Sequence, residues 1–253
     1  MARPKLSVML AEAIAEEIVR RGLRPGMRLP AEAEMMRDFD VGRATLREAL
    51  RLLEAQGLVR VKPGRSGGPV VAAPDAGHLA RQVSLMLRVS GVSVDEVVRA
   101  RQALEPQIAA GAARAGDAAT VARLRELQAE LERSVADERR YLEANRAFHA
   151  TLAAAAGNRP LGLFWSAIGT IVDWHDVGVA YDEAARAAGC RAHRALTDAI
   201  AAGDVDAAAR AMEAHMTALR DHLARRHPAA LRRTVEVVSA GAPAAPQRTP
   251  ARS

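Results

Sequence analysis

Three histidines of this 253-residue chain, His149, His193 and His215, have the type and spacing to gather a divalent cation. His193 stands about ten residues before the Gly203-Asp204 turn and His215 about eleven after it. In an antiparallel helical hairpin those distances set both imidazoles at one level. His149 belongs to another helical segment, with Asn145 four residues earlier on the same face. Three imidazoles meeting in a helical core suit Zn²⁺, Ni²⁺ or Mn²⁺. A second set has a different chemistry. Arg43, Thr45 and Arg47 sit near the start of a short amphipathic helix, where side chains can reach base edges and phosphates in a DNA major groove. An arginine fork pairs bidentately with guanine or clamps phosphate, and Thr45 can bond a phosphate oxygen or pack on a thymine methyl. Each set has a plainer alternative. Buried histidines often only hydrogen-bond to their neighbours, and Arg43, Arg47 and Arg51 could form an exposed ladder with Glu48 and Glu54.

The elements that must position these residues follow from periodicity. Leu6, Leu10, Ile14, Ile18 and Val19 stripe one face of a first helix, which Gly22 and Pro25-Gly26 end. A short helix over about residues 31–39, a turn at Asp40-Val41-Gly42 and a third helix from Arg43 to Gln56 come next. Leu58 to Val61 and Pro69 to Val71 then flank a basic turn holding Lys62, Gly64 and Arg65, which predicts a two-stranded wing. From His78 onward every segment has helical period. Ser93-Val94-Asp95-Glu96 reads as a capping box opening a helix to about Ala115. Further helices are expected over about 121–135, 137–156, 161–173 and 181–202, with a last one ending near His227-Pro228. The expected architecture is mostly α: an N-terminal winged helix-turn-helix over residues 1–73, then an antiparallel all-helical bundle of six or seven helices over 78–228. Residues 236–253, rich in Ala, Pro, Ser and Arg without periodicity, are expected to be a disordered tail.

Composition agrees with this division. Apolar residues make up 49% and aromatics only 3%, with heavy use of alanine, as a helical protein requires. The net charge of +6 is uneven: residues 1–72 carry +4 and residues 225–253 carry +5, leaving −3 between them. A basic head beside a mildly acidic body fits a nucleic-acid binder fused to another function. The chain has one cysteine, Cys190, and neither a membrane-spanning apolar run nor an apolar signal core at its N-terminus. These features lead us to expect a cytoplasmic protein without a membrane partner.

Residues 6 to 72 resemble the winged helix-turn-helix of GntR-family transcription regulators. The resemblance rests on Leu29-Pro30-Ala31-Glu32, Arg43-Ala44-Thr45-Leu46-Arg47-Glu48-Ala49-Leu50, Gly57-Leu58-Val59 and Gly64. It implies DNA contact through Arg43, Thr45, Arg47, Lys62, Arg65 and the backbone at Gly64. Two positions depart from the pattern: Gly42 stands where many members carry Ser or Thr, and Ala33 where they carry Arg. The helical part resembles the FCD effector domain of the FadR-like branch. This rests on Arg101-Gln102-Ala103-Leu104-Glu105-Pro106, on Phe148-His149 with Ala156-Gly157-Asn158, and on His193 through Gly203-Asp204 to Met212 and His215. Metal-binding members complete their ligand set with an Asp four residues before the first histidine; here that position is Asn145, a weaker, neutral ligand. Arg101 is then a candidate clamp for an anionic effector, and His175 a candidate pocket residue. Glu105 and Asn158 read as a structural partner and a cap.

The function implied is a homodimeric, ligand-responsive regulator, a repressor in the commoner case. It would bind double-stranded operator DNA and sense an organic or sugar acid at a divalent metal. One alternative is the same class of regulator with a metal-free pocket for acyl-CoA or another ligand. The other is a helical-bundle metalloenzyme, disfavoured because no general base accompanies the histidines.

Overall fold

The computed structural model describes residues 5–62, 64, 67–73, 76–169, 171 and 179–236. Arg65, His175 and the expected tail beyond Glu236 lie outside them. The fold is mostly α, with one small sheet, and divides into two compact units, one up to His78 and one from Leu79.

The first unit begins with α1 (Leu6–Arg20), which buries Leu10, Ala11 and Ile14. Ala31 caps α2 (Glu32–Asp38), whose first turn places Glu32 and Glu34 where the helix dipole favours acids. After a turn in which Asp40 takes a positive φ of 50°, α3 (Arg43–Ala55) runs with Leu46, Ala49, Leu50 and Leu53 buried at helical spacing. These side chains pack with Leu10, Ile14, Leu29, Met35, Val59 and Val71 into the core of the head. The wing is an antiparallel pair, β1 (Val59–Lys62) and β2 (Gly68–Val71), with Val59 opposite Val71 and Lys62 opposite Gly68. Glu54 on α3 accepts the Val61 amide at 3.0 Å, which ties the wing to the helix before it.

The second unit is all-helical: α4 (Ala76–Val89), α5 (Val94–Ala115), α6 (Ala118–Arg133), α7 (Glu138–Ala155), α8 (Arg159–Gly169), α9 (Glu183–Ala201), α10 (Val205–Arg226) and α11 (Pro228–Arg232). Its helix starts are dictated locally. Ser93 and Glu96 form the expected capping box, and the carboxylates of Asp117, Asp137, Asp182 and Asp204 each accept an amide three residues on. The cap at Asp182 starts α9 two residues later than the apolar pattern indicated. Asn158 accepts the Leu161 amide, so α8 begins at Arg159 and takes Pro160 into its first turn. Eight helices stand among the described residues rather than six or seven. The last is a single turn that Pro228 opens and that buries Ala230 and Leu231. Beyond it, the Val235 amide bonds the Val92 carbonyl and the Val94 amide bonds the Arg233 carbonyl, holding residues 233–235 against the start of α5.

The core joins Ala109, Ala112 and Ala113 of α5 to Leu124, Leu127, Leu131, Phe148, Leu152, Leu196, Ile200, Met212 and Met216 from the helices around it. Alanine on α5 lets its neighbours approach closely. Arg101, Glu105, His149 and His193 interrupt this core as buried polar residues.

Candidate functional site

In the head, α3 exposes Arg43 and Arg47, one turn apart, and half-buries Thr45 between them. Arg43 forms no ion pair with a described residue. Arg47 does: its Nε lies 3.4 Å from Glu32 Oε2 on α2. Glu32 belongs to the Leu-Pro-x-Glu motif, and this contact was not expected from the sequence. Lys62 is exposed at the end of β1, and Gly64 just beyond it adopts φ +106°, a conformation that a side chain would strain. Gly42 caps α3 with ordinary extended backbone and no side-chain bond.

In the helical unit, α7, α9 and α10 bring His149, His193 and His215 together, with one ring nitrogen from each within 4.8 Å of the others. Ring centroids are 5.3 Å apart for His149 and His193, 4.6 Å for His193 and His215, and 5.5 Å for His149 and His215. The hairpin argument is thereby realised: α9 and α10 run antiparallel from Gly203-Asp204 and meet at this level. Phe148 packs on the His193 ring at 4.6 Å and excludes water from that side. Burial, then His215 and His149, push the His193 imidazole well below its ordinary pKa; burial and His149 push His215 down to about 3. Both rings are therefore neutral at pH 7 and have a lone pair to offer.

The Nε2 atoms of His149 and His193 face each other at 3.3 Å. Two imidazoles on one tetrahedral ion, with bonds of about 2.0–2.1 Å, stand at about this separation. The donor set fits a divalent metal. Across the His149 ring, Nδ1 lies 2.6 Å from Glu105 Oε2 on α5, and the other oxygen of Glu105 accepts Arg101 Nε at 2.7 Å. Burial favours the neutral acid at Glu105, but Arg101 and His149 outweigh it and hold the carboxyl well below the usual carboxylate range. Glu105 is thus a buried carboxylate between a cation and an imidazole, partner to Arg101 as the sequence indicated and to His149 as well.

A cavity of about 260 Å³ opens beside the histidines. Asn145 lines it one turn before His149, together with Arg101, Tyr141, His215, His222 and Arg225. Gly189 of α9 is required here, because a Cβ at that position would collide with the Tyr141 hydroxyl. His222 read as a surface residue from the sequence. It is half-buried instead, stacks on Tyr181 at 5.6 Å and lines the cavity with a ring nitrogen shut off from solvent. The signal was present: His222 follows His215 by two helical turns, on the same face. Arg101 also lines the cavity, yet its Nε is already committed to Glu105.

A winged helix-turn-helix with arginines exposed on its second motif helix, in one chain with a helical unit that holds a cavity, points to a DNA-binding regulator. Comparison with known proteins agrees. Residues 6–67 match the family model for bacterial regulatory proteins of the gntR family, and residues 96–218 match the FCD domain. An uncharacterized HTH-type transcriptional regulator of Escherichia coli (strain K12), YieP, is 30% identical over 218 residues, 84% of this chain and 93% of its own length. The HTH-type transcriptional repressor NanR of Cronobacter sakazakii is 29% identical over 242 residues, 87% of this chain and 85% of that repressor. Among solved structures, a Streptococcus agalactiae GntR shares the fold at TM-score 0.64 and 24% identity, over 85% of this chain and 99% of that one. The chain belongs to the GntR family of transcription regulators, in the branch that carries an FCD domain. It is a regulator rather than an enzyme. None of its described helices is long and apolar enough to cross a membrane.

Proposed function

We propose that this chain is a homodimeric, cytoplasmic repressor that binds a divalent metal, Zn²⁺, Ni²⁺ or Mn²⁺, through His149, His193, His215 and Asn145. The effector is a small organic or sugar acid that enters the cavity beside them. The observation that carries this reading is the convergence of three imidazoles, two of which, His149 and His215, line a cavity that Arg101 and Arg225 also line. The imidazoles of His193 and His215 and the amide of Asn145 bring no negative charge. A bound metal would supply Lewis acidity toward a carboxylate, and the arginines would orient that carboxylate by charge and hydrogen bonding. A cavity of about 260 Å³ is small beside the roughly 300–1,000 Å³ of pockets for drug-sized ligands, which favours a small acid over acyl-CoA.

Each head would read one half of a near-palindromic operator through Arg43, Thr45 and Arg47 in the major groove, with Lys62, Arg65 and the backbone at Gly64 meeting the phosphates beside the wing. Leu85, Met86 and Val89 form an exposed apolar stripe on α4, and Phe164 is exposed on α8, the kind of surface a second copy would cover. Effector binding changes operator affinity by the difference in its affinity for the two arrangements of the dimer.

The test is metal content by elemental mass spectrometry on untagged protein, beside His149→Ala and His193→Ala. About one divalent metal per chain, lost in both variants, is expected. Metal-free wild type that still binds operator DNA would refute the metal site while leaving the regulator intact.

A further inference from the structure

Glu105 stands where the effector clamp and the metal-binding histidines meet. It is 1% exposed, and its two partners, Arg101 and His149, are 6% and 3% exposed. One carboxylate oxygen accepts Arg101 Nε at 2.7 Å and the other lies 2.6 Å from His149 Nδ1. Both atoms are buried, and neither makes a hydrogen bond elsewhere; their contact is a close ion-pair approach. A carboxylate paired with the Arg101 guanidinium is an acceptor, so the Nδ1 facing its other oxygen carries the ring proton, and Nε2, on the opposite side, carries the lone pair. That Nε2 is the atom 3.3 Å from His193 Nε2. His193 has no such anchor: among the described residues no carboxylate pairs with its buried Nδ1. Among the described residues, the carboxylate that sets a tautomer in the cluster thus acts on His149, and from α5.

We propose that Glu105 is a positioning residue of the metal site, which locks the His149 tautomer and ring orientation and makes His149 a stronger donor. The same carboxylate brings a negative charge within one residue of a cluster whose fourth candidate ligand, Asn145, is neutral. It therefore supplies, at one remove, part of the charge that an acidic ligand would have provided. Outer carboxylates of this kind typically change metal affinity by 10–100-fold. This inference rests on the metal reading above.

Two double variants separate it from a merely structural role. Replacing a buried ion pair with apolar residues of similar volume usually preserves the fold, so Arg101→Leu with Glu105→Leu is expected to stay helical and to melt cooperatively. Arg101→Leu with Glu105→Gln removes the same charges but leaves an amide oxygen to accept from Nδ1. Zn²⁺ affinity, measured against a competing chelator, is expected to fall by about 10–100-fold in the leucine pair and to recover most of that loss in the glutamine pair. Co²⁺ absorption bands, which report the geometry around the ion, should change in the leucine pair only. Equal Zn²⁺ affinities in the two double variants would overturn the role of Glu105 while leaving the metal site standing. Wild-type protein that takes up neither ion would overturn the metal reading and this inference together.

Discussion

Arg47 on α3 and Arg101 on α5 each face a glutamate, and the surroundings of the two pairs are opposite. The Arg47–Glu32 contact spans 3.4 Å, with the arginine 58% exposed. The Arg101–Glu105 contact spans 2.7 Å, with side chains 8% and 1% exposed. Water screens the first pair, so it can open for little free energy when a phosphate or base competes for the guanidinium. The second is fixed by the cost of leaving either charge uncompensated inside the helical unit. The head therefore holds its working groups ready for exchange, whereas the helical unit holds them in place. That division suits the proposed function, in which the head reads DNA with mobile, exposed cations and the helical unit binds a small acid at a preorganised site.

The sharpest way to break this contrast is to delete one partner from each pair. Glu105→Ala strands Arg101 in the core and should cost about 3–5 kcal/mol of stability, against about 0–1 kcal/mol for Glu32→Ala, both read by urea denaturation. Similar losses at the two positions would mean that burial does not govern them.

Next in size is operator binding. Arg43→Ala should weaken it by about 1–3 kcal/mol if the side chain reads a base, or lower the salt dependence by about one phosphate contact if it does not. Stability should move by no more than about 0.5 kcal/mol in either case. Unaltered affinity and unaltered salt slope would remove Arg43 from the interface.

Acid titration separates the two units by a smaller effect. His193 and His215 have folded pKa values below that of a free imidazole, so the unfolded chain binds more protons once pH falls through about 6.5. The metal-free helical unit should therefore lose stability from about pH 6.5 downward, at no more than about 1.4 kcal/mol per pH unit for each histidine. Melting at pH 7.5 and 5.5 in the presence of a chelator checks this; replacing both histidines with glutamine should flatten the difference.

The smallest effect concerns Gly42, the cap of α3. Its backbone is extended and an added Cβ would meet nothing within 4 Å, so Gly42→Ser can cap the helix without strain. We expect a gain of a few tenths of a kcal/mol, roughly the margin of serine over glycine at a helix cap, together with tighter operator binding from an added phosphate contact. A gain in melting temperature without tighter DNA binding would confine Gly42 to a structural role.

Much of this molecule could be read along the chain. The stripe Leu46, Ala49, Leu50 and Leu53, the acceptor caps at Ser93 and Asp204, and the alternation around Gly64 are local patterns, and local patterns fix helices, turns and hairpins. They also placed His193 and His215 at one level, because a short turn between antiparallel helices leaves little freedom of register. Asp182 shows the limit: an apolar pattern continues through Tyr181, but the cap decides where the helix begins. What only the tertiary structure decided is which helices face one another. Glu105 and His149 are 44 residues apart, and nothing in their neighbourhoods indicates that α5 would set a carboxylate 2.6 Å from that imidazole. Glu32 and Arg47 met for the same reason, as did His222 and the cavity. Periodicity tells which face of a helix is buried, but the partner of a buried polar group is chosen by how those faces pack.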